Sequence, residues 1–167
     1  MDIPKNQITV ILDHNGACKT TTMSMISGII SKTSGTISVN DEEDINRYRH
    51  MIGYCPQHNA FMRYFTVKGH LIFLAALRGL NKKDAESQVK QLLYKLHLMD
   101  KANEYGNNLS GGMTRRLCLG NAIVGNTQIA ILDEPSSGLD PDDNCGRSYW
   151  MDPFNNPLHG RGRNVGR

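Results

Sequence analysis

The 167-residue sequence predicts an α/β fold, and three observations carry that prediction. The β-branched run Gln7-Ile8-Thr9-Val10-Ile11-Leu12 ends in a glycine-bearing turn, after which Met23, Met25, Ile26, Ile29 and Ile30 recur at roughly helical spacing, so the segment reads as strand, loop, helix. Ile129-Ala130-Ile131-Leu132 is apolar at every position, as a strand covered on both faces of a parallel sheet would be. Between the two lies a long helical stretch, Thr66 to Leu98.

Taken in order, the remaining elements follow from pattern and punctuation. Strands are expected at Gly35 to Val39 and at Met51 to Cys55, the latter stopped by Pro56. Leu71, Leu74, Ala75 and Leu77 mark a helix that ends before Gly79, and Val89, Leu92, Leu93 and Leu96 share one face of a second helix after a polar Asn81-Lys82-Lys83-Asp84 start. Periodicity stops beyond Pro141, and Asp152 to Arg167 is rich in Pro, Gly, Asn and Arg. No internal repeat is present.

Composition narrows the function classes. Length and an apolar fraction of 39% suit one globular domain with a sizeable core. The longest apolar run, Leu71 to Leu77, is far short of the roughly 20 residues that cross a bilayer, and Met1 to Lys5 has no apolar signal region. The formal charge of +3 is carried by four arginines and one aspartate between Cys145 and Arg167, which leaves no basic stripe for nucleic acid. Cys18, Cys55, Cys118 and Cys145 are scattered without metal-ligand or disulfide-framework spacing, so reduced thiols are expected.

Four segments carry chemistry. Asp13-His14-Asn15-Gly16-Ala17-Cys18-Lys19-Thr20 occupies the slot of a G-x-x-x-x-G-K-[ST] phosphate loop between a strand and a helix. In such a loop backbone N–H groups surround the β-phosphate, the lysine reaches the β and γ oxygens, and the threonine hydroxyl holds Mg²⁺. Read alone, with both defining glycines replaced, the stretch reads more readily as a turn before a helix. Ile129 to Leu132 runs into Asp133-Glu134, two acids that suit metal binding and polarisation of water, or simply an exposed strand end. Leu109-Ser110-Gly111-Gly112-Met113 presents an N-capping serine and two glycines whose N–H groups face outward at a positive helix end. Tyr54-Cys55-Pro56-Gln57-His58-Asn59 completes the set.

These segments resemble, in type and in order, the Walker A, Q-loop, signature and Walker B motifs of ABC ATPases, and Pro135-Ser136-Ser137-Gly138-Leu139-Asp140-Pro141 resembles the D-loop continuation. The resemblance spans Gln7 to Pro141. The forms Cys-Pro-Gln-His-Asn and Leu-Ser-Gly-Gly-Met, with Lys19-Thr20-Thr21-Thr22-Met23-Ser24-Met25, are those of subfamily A, whose members mostly export or flip lipids. It implies a P-loop core at 1–60 and 122–141, a helical signature subdomain at 61–121, and a fold incomplete at both ends. It implies ATP and Mg²⁺ as ligands. Asn15, Gly16, Ala17, Cys18, Lys19, Thr20 and Thr21 would cradle the phosphates; Thr20, Gln57 and Asp133 would hold the metal; Glu134 would polarise water, with Gln57 beside it. Ser110, Gly111, Gly112 and Asp140 would meet the nucleotide of a second ABC ATPase domain in a head-to-tail dimer. Transmembrane domains would be the other partner, at the cytoplasmic face of a membrane, the chain itself being soluble. A soluble ABC ATPase without a transporter and a catalytically dead fragment are the alternatives.

Departures from the family pattern matter as much. Cys18 puts a side chain where backbone must approach phosphate, and Asp13 puts a carboxylate near the same anion; positive φ at Cys18 would add about 1–2 kcal/mol of strain. Gly69 stands where an acidic residue normally completes the capping box begun by Thr66, at a cost on the order of 1 kcal/mol to that helix. No stacking aromatic precedes the loop, and His159 lies in a context unlike the H-loop. The tail at 142–167 is expected to be outside the family pattern, disordered and out of frame: one legal coding of Asn155 to Arg167 reads, one base forward, as Thr-Thr-His-Phe-Met-Asp-Glu-Ala, close to the subfamily's H-loop segment.

Overall fold

A computed structural model describes residues 3, 9, 19–125 and 127–135. Its elements are helix α1 (Lys19–Ile26), the short helix α2 (Ile45–Tyr48), strand β1 (Ile52–Cys55), helices α3 (Val67–Leu77), α4 (Lys82–Lys95) and α5 (Gly111–Ile123), and strand β2 (Ile129–Leu132). The expected strand at Gln7 to Leu12, Thr9 apart, and the tail beyond Pro135 lie outside the described residues.

β1 and β2 pair in parallel, with Ile52 opposite Ile129 and Cys55 opposite Leu132. Backbone bonds extend the ladder at both ends, Gln128 N–H to the Met51 carbonyl at 2.8 Å and Asp133 N–H to the Cys55 carbonyl at 2.9 Å. Parallel strands cannot be joined by a tight turn, and here α3, α4 and α5 form the crossover. Successive strand residues alternate between two apolar clusters. Ile52, Ile129 and Ile131 pack with Val39 and Tyr48, whereas Cys55 and Leu132 pack with Cys118, Leu119 and Ala122 of α5. The all-apolar β2 is therefore contacted on both faces as expected, but each of its residues is half-buried rather than enclosed.

The helical crossover holds the largest core. Val67, Leu71 and Ala75 of α3 meet Ala85, Val89, Leu92 and Leu93 of α4, Leu117 of α5, and Leu96, Leu98 and Val124. The valine and leucine side chains among these contribute about 1.5–3 kcal/mol each on burial. Side chains cap the helix starts: Thr66 Oγ1 accepts from Gly69 N–H at 3.0 Å and Asn81 Oδ1 from Asp84 N–H at 2.9 Å. The other free donors at the start of α3 are met by a neighbouring loop, Val67 N–H reaching the Glu104 carbonyl at 2.9 Å and Lys68 N–H the Ala102 carbonyl at 2.8 Å.

Three expectations are corrected. Ile29 and Ile30 are not on α1. Gly28, at φ +73°, stops the helix, with Ile29 N–H bonded to the Ser24 carbonyl at 2.9 Å and Gly28 N–H to the Met25 carbonyl at 3.1 Å. That is a Schellman cap, and it leaves Ile29 62% exposed. No strand forms at Gly35 to Val39; Val39 makes only an isolated antiparallel bridge to Glu42 around Asn40 and Asp41, both at positive φ, a two-residue turn of the kind Asn and Asp favour. Leu77, grouped with the apolar face of α3, is 66% exposed.

Contact between α5 and β1 depends on Gly53. A Cβ there would overlap the Ala122 carbonyl, standing 2.6 Å from its carbon and 3.1 Å from Thr127 Cγ2. Because backbone cannot yield as a side-chain tip can, Gly53→Ala should destabilise the chain by about 2 kcal/mol or more. Gly111→Ala, where an added Cβ meets nothing within 4 Å, should cost nothing measurable. Urea denaturation midpoints of the two variants check this.

Candidate functional site

The register of the two strands brings the candidate residues together. With Cys55 opposite Leu132, the chain leaves β1 as Pro56-Gln57 beside the place where it leaves β2 as Asp133-Glu134. Gln57 Nε2 donates to Glu134 Oε2 at 2.9 Å. Both residues are exposed, so the pair faces solvent while its backbone is anchored. Glu134 has φ +45°, a left-handed conformation that costs a non-glycine residue on the order of 1–3 kcal/mol and is retained where its surroundings over-determine it.

Asp133 differs from its neighbour. It is 4% exposed, and its Oδ2 is buried with no hydrogen-bond partner among the described residues. An unpartnered buried carboxylate oxygen is costly. A hard divalent cation, or water held by one, would satisfy it, and the Gln57 carboxamide at the neighbouring strand exit offers a second oxygen donor. The residues present therefore fit Mg²⁺.

Both strand exits converge on Arg115, a residue that the sequence reading passed over. It lies on α5, is 1% exposed, and directs its whole guanidinium to main-chain carbonyls. Nη1 donates to Pro56 at 2.6 Å and to Gln57 at 3.2 Å; Nη2 donates to Asp133 at 2.8 Å and to Glu134 at 2.7 Å; Nε donates to Pro135 at 3.2 Å. One side chain thus spans the ends of both strands. A signal was present in the sequence: Arg115, Cys118, Leu119 and Ala122 fall at i, i+3, i+4 and i+7, so the arginine interrupts an otherwise apolar helical stripe.

The same helix carries the Ser-Gly-Gly segment at its start. Ser110 is the N-cap of α5, its Oγ accepting from Met113 N–H at 3.3 Å, and its carbonyl receives Thr114 N–H at 2.8 Å and Thr114 Oγ1 at 2.9 Å. Gly111 is exposed and Gly112 half-buried, an open N-terminal turn where N–H groups and the helix dipole favour an anion. The far end of α5 is clamped as well. Arg78 Nη1 donates to the carbonyls of Asn121 and Ala122, at 3.0 and 3.2 Å, and to that of Val124. Gln88 pairs with Gly125 through both its amide atoms, at 3.1 and 2.7 Å.

Of the phosphate-loop residues, Lys19 is half-buried at the first position of α1, and Thr20 and Thr21 follow in its first turn, exposed. Asn15, Gly16, Ala17, Cys18 and Asp140 lie outside the described residues. Cys55 and Cys118 are free, buried thiols. Among the described residues, no helix is long and apolar enough to cross a membrane.

Comparison with known proteins places these features in context. Residues 1–137 match the family model described as ABC transporter. The chain is 42% identical over 149 residues to the human retinal-specific phospholipid-transporting ATPase ABCA4, covering 87% of this chain and 6% of that protein. It is 43% identical over 143 residues to the human phospholipid-transporting ATPase ABCA3, covering 84% and 8%. To the rat ATP-binding cassette sub-family A member 17 it is 40% identical over 153 residues, covering 90% and 8%. It therefore spans less than a tenth of the length of these relatives. Among solved structures, an ATP binding subunit of an ABC transporter superposes with a TM-score of 0.74 at 27% identity, covering 85% of this chain and 59% of that one. This likeness identifies the parallel pair and its helical crossover as part of a P-loop α/β fold.

Burial, helped by the neighbouring Cys55, pushes the Cys118 thiol up from 9.0 to about 11. A folded-state value above the unfolded one means that the native chain holds its proton longer. The resulting stability is fully present below about pH 9 and is lost as pH rises through about 11. Unfolding free energy should fall across that window, and Cys118→Ala should make the fall shallower. Urea titrations at stepped alkaline pH measure the slope; equal slopes in the two proteins would contradict the assignment.

Proposed function

The chain belongs to the ABC transporter family as a subfamily A ATP-binding domain, and from that membership we propose that it binds Mg-ATP and couples its hydrolysis to phospholipid movement through transmembrane partners. The observation that carries this reading is the meeting of Gln57 and Glu134 at 2.9 Å beside the unpartnered buried oxygen of Asp133. ABC ATP-binding domains generally bind ATP with Mg²⁺, act in pairs and join transmembrane domains, and each residue takes its part within that frame.

Backbone N–H groups from Asn15 to Thr21 would surround the phosphates, and the Lys19 ammonium would oppose the charge on the β and γ oxygens. Thr20, Gln57 and Asp133 would hold the metal, which when bound would supply positive charge against the phosphate oxygens. Glu134 accepts a hydrogen bond from the attacking water and aligns it for in-line displacement at the γ-phosphorus; Gln57, already bonded to Glu134, orients the same water. Ser110, Gly111 and Gly112 present the N-terminal turn of α5 to the nucleotide of a second domain, with Asp140 at the same interface. The helical part would be 61–121 and the core 1–60 with 122–141, α5 packing against β1 and β2.

A second reading, a catalytically dead relative, is favoured by one observation: Asp13 and Cys18 replace both glycines of the phosphate loop. Thermal melting with and without Mg-ATP separates the two. Bound at 100 times its dissociation constant, the nucleotide should stabilise by about 2.7 kcal/mol, whereas a dead loop gives no shift at any concentration. The wild-type affinity should be weak and should tighten when Asp13→Gly and Cys18→Gly are combined, because both changes restore the backbone cradle. An unchanged dissociation constant in the double variant would remove the loop argument.

A further inference from the structure

Arg115 is the largest fully buried side chain among the described residues, and no step of the reaction above uses it. Its five hydrogen bonds end on the carbonyls of Pro56, Gln57, Asp133, Glu134 and Pro135. It grips both segments of the hydrolytic pair by backbone alone, which leaves the Gln57 and Glu134 side chains free to meet each other. The cation itself comes from α5, whose N-terminal turn holds Ser110, Gly111 and Gly112. We infer that Arg115 is a positioning residue for ATP hydrolysis: it fixes Gln57 and Glu134 within bonding distance and ties that pair rigidly to the helix whose N-terminus faces the partner's nucleotide. This rests on the proposed ATPase reading for its purpose, but not for its geometry.

The geometry can be tested without nucleotide. Because Arg115 bonds only main-chain carbonyls at these positions, Gln57→Cys and Glu134→Cys can be introduced together without removing any of its bonds. Bridging of the two thiols by a short bis-methanethiosulfonate then reports their separation, in a Cys18→Ser, Cys145→Ser background where Cys55 and Cys118 stay buried. Arg78 supplies the control: it too donates to several main-chain carbonyls, but at the opposite end of α5.

Adding Arg115→Lys should slow bridging at least tenfold, since a lysine cannot span both strand ends, whereas Arg78→Lys should leave the rate within twofold. Bridging at the unaltered rate in the Arg115→Lys chain overturns the proposal. So does an equal loss in the Arg78→Lys chain, which would make the effect a general loosening. Failure of the Arg115→Lys chain to fold while Arg78→Lys folds also overturns it, because Arg115 would then serve the fold and not the site. Mg-ATP affinity, measured on the same chains with Gln57 and Glu134 intact, reports the ATPase reading separately: absence of binding with Arg115-dependent bridging sinks that reading and leaves standing only that Arg115 holds the pair together.

Discussion

A guanidinium ion buried on α5 must find acceptors for all its donors, because a cation withdrawn from water without them is among the costliest things a protein interior can hold. Arg115 meets that demand with carbonyls at the ends of two parallel strands, and most of the site's geometry follows. Hydrogen bonds from a charged group contribute about 1.5–3 kcal/mol each, net of the exchange with water, and the cost of withdrawing the ion itself from water offsets much of that sum. The result is specificity more than stability. The carbonyls of Pro56, Gln57, Asp133, Glu134 and Pro135 must converge on one plane, and only a particular exit path from each strand allows it. The left-handed φ of Glu134 belongs to such a path.

That constraint works because α5 is itself immobilised. Gly53 lets its C-terminal turn approach β1 to backbone contact, while Arg78, just past the end of α3, and Gln88 of α4 secure Asn121 to Gly125. Leu117 joins the crossover core and Cys118 and Leu119 join the strand-facing cluster. The helix is thus a beam fastened at three places, with its Ser110-capped end left open. A ligand met at that end bears on the element that positions Gln57 and Glu134.

Which parts of this were legible in the sequence follows from the range of the interactions. Helices α3 and α4 have apolar residues on a helical period and Thr66 and Asn81 as caps, all local signals, and the strand at Ile52–Cys55 is stopped by Pro56. Ser110 could be assigned as an N-cap because capping acts over three residues. The expected strand at Gly35 to Val39 failed because the turn at Asn40 and Asp41 bends the chain back on itself, and Ile29 and Ile30 failed because Gly28 ends α1 before the apolar spacing does. Arg115 was invisible to motif reading for a different reason. Its partners are backbone carbonyls about 20 to 60 positions away in sequence, and main-chain acceptors leave no residue signature; only its intrusion into an apolar stripe betrayed it.

Nitrogen-15 NMR of the Arg115 guanidinium in the unaltered chain tests the central claim most directly. Five bonds to fixed carbonyls should hinder rotation about the Cζ–N bonds and shield the protons from water, giving separate Nη1 and Nη2 resonances and Nε–H exchange far slower than that of a solvent-exposed arginine such as Arg47. Averaged Nη signals with exchange as fast as at Arg47 would contradict it, since a guanidinium that turns freely cannot hold two strand ends in register.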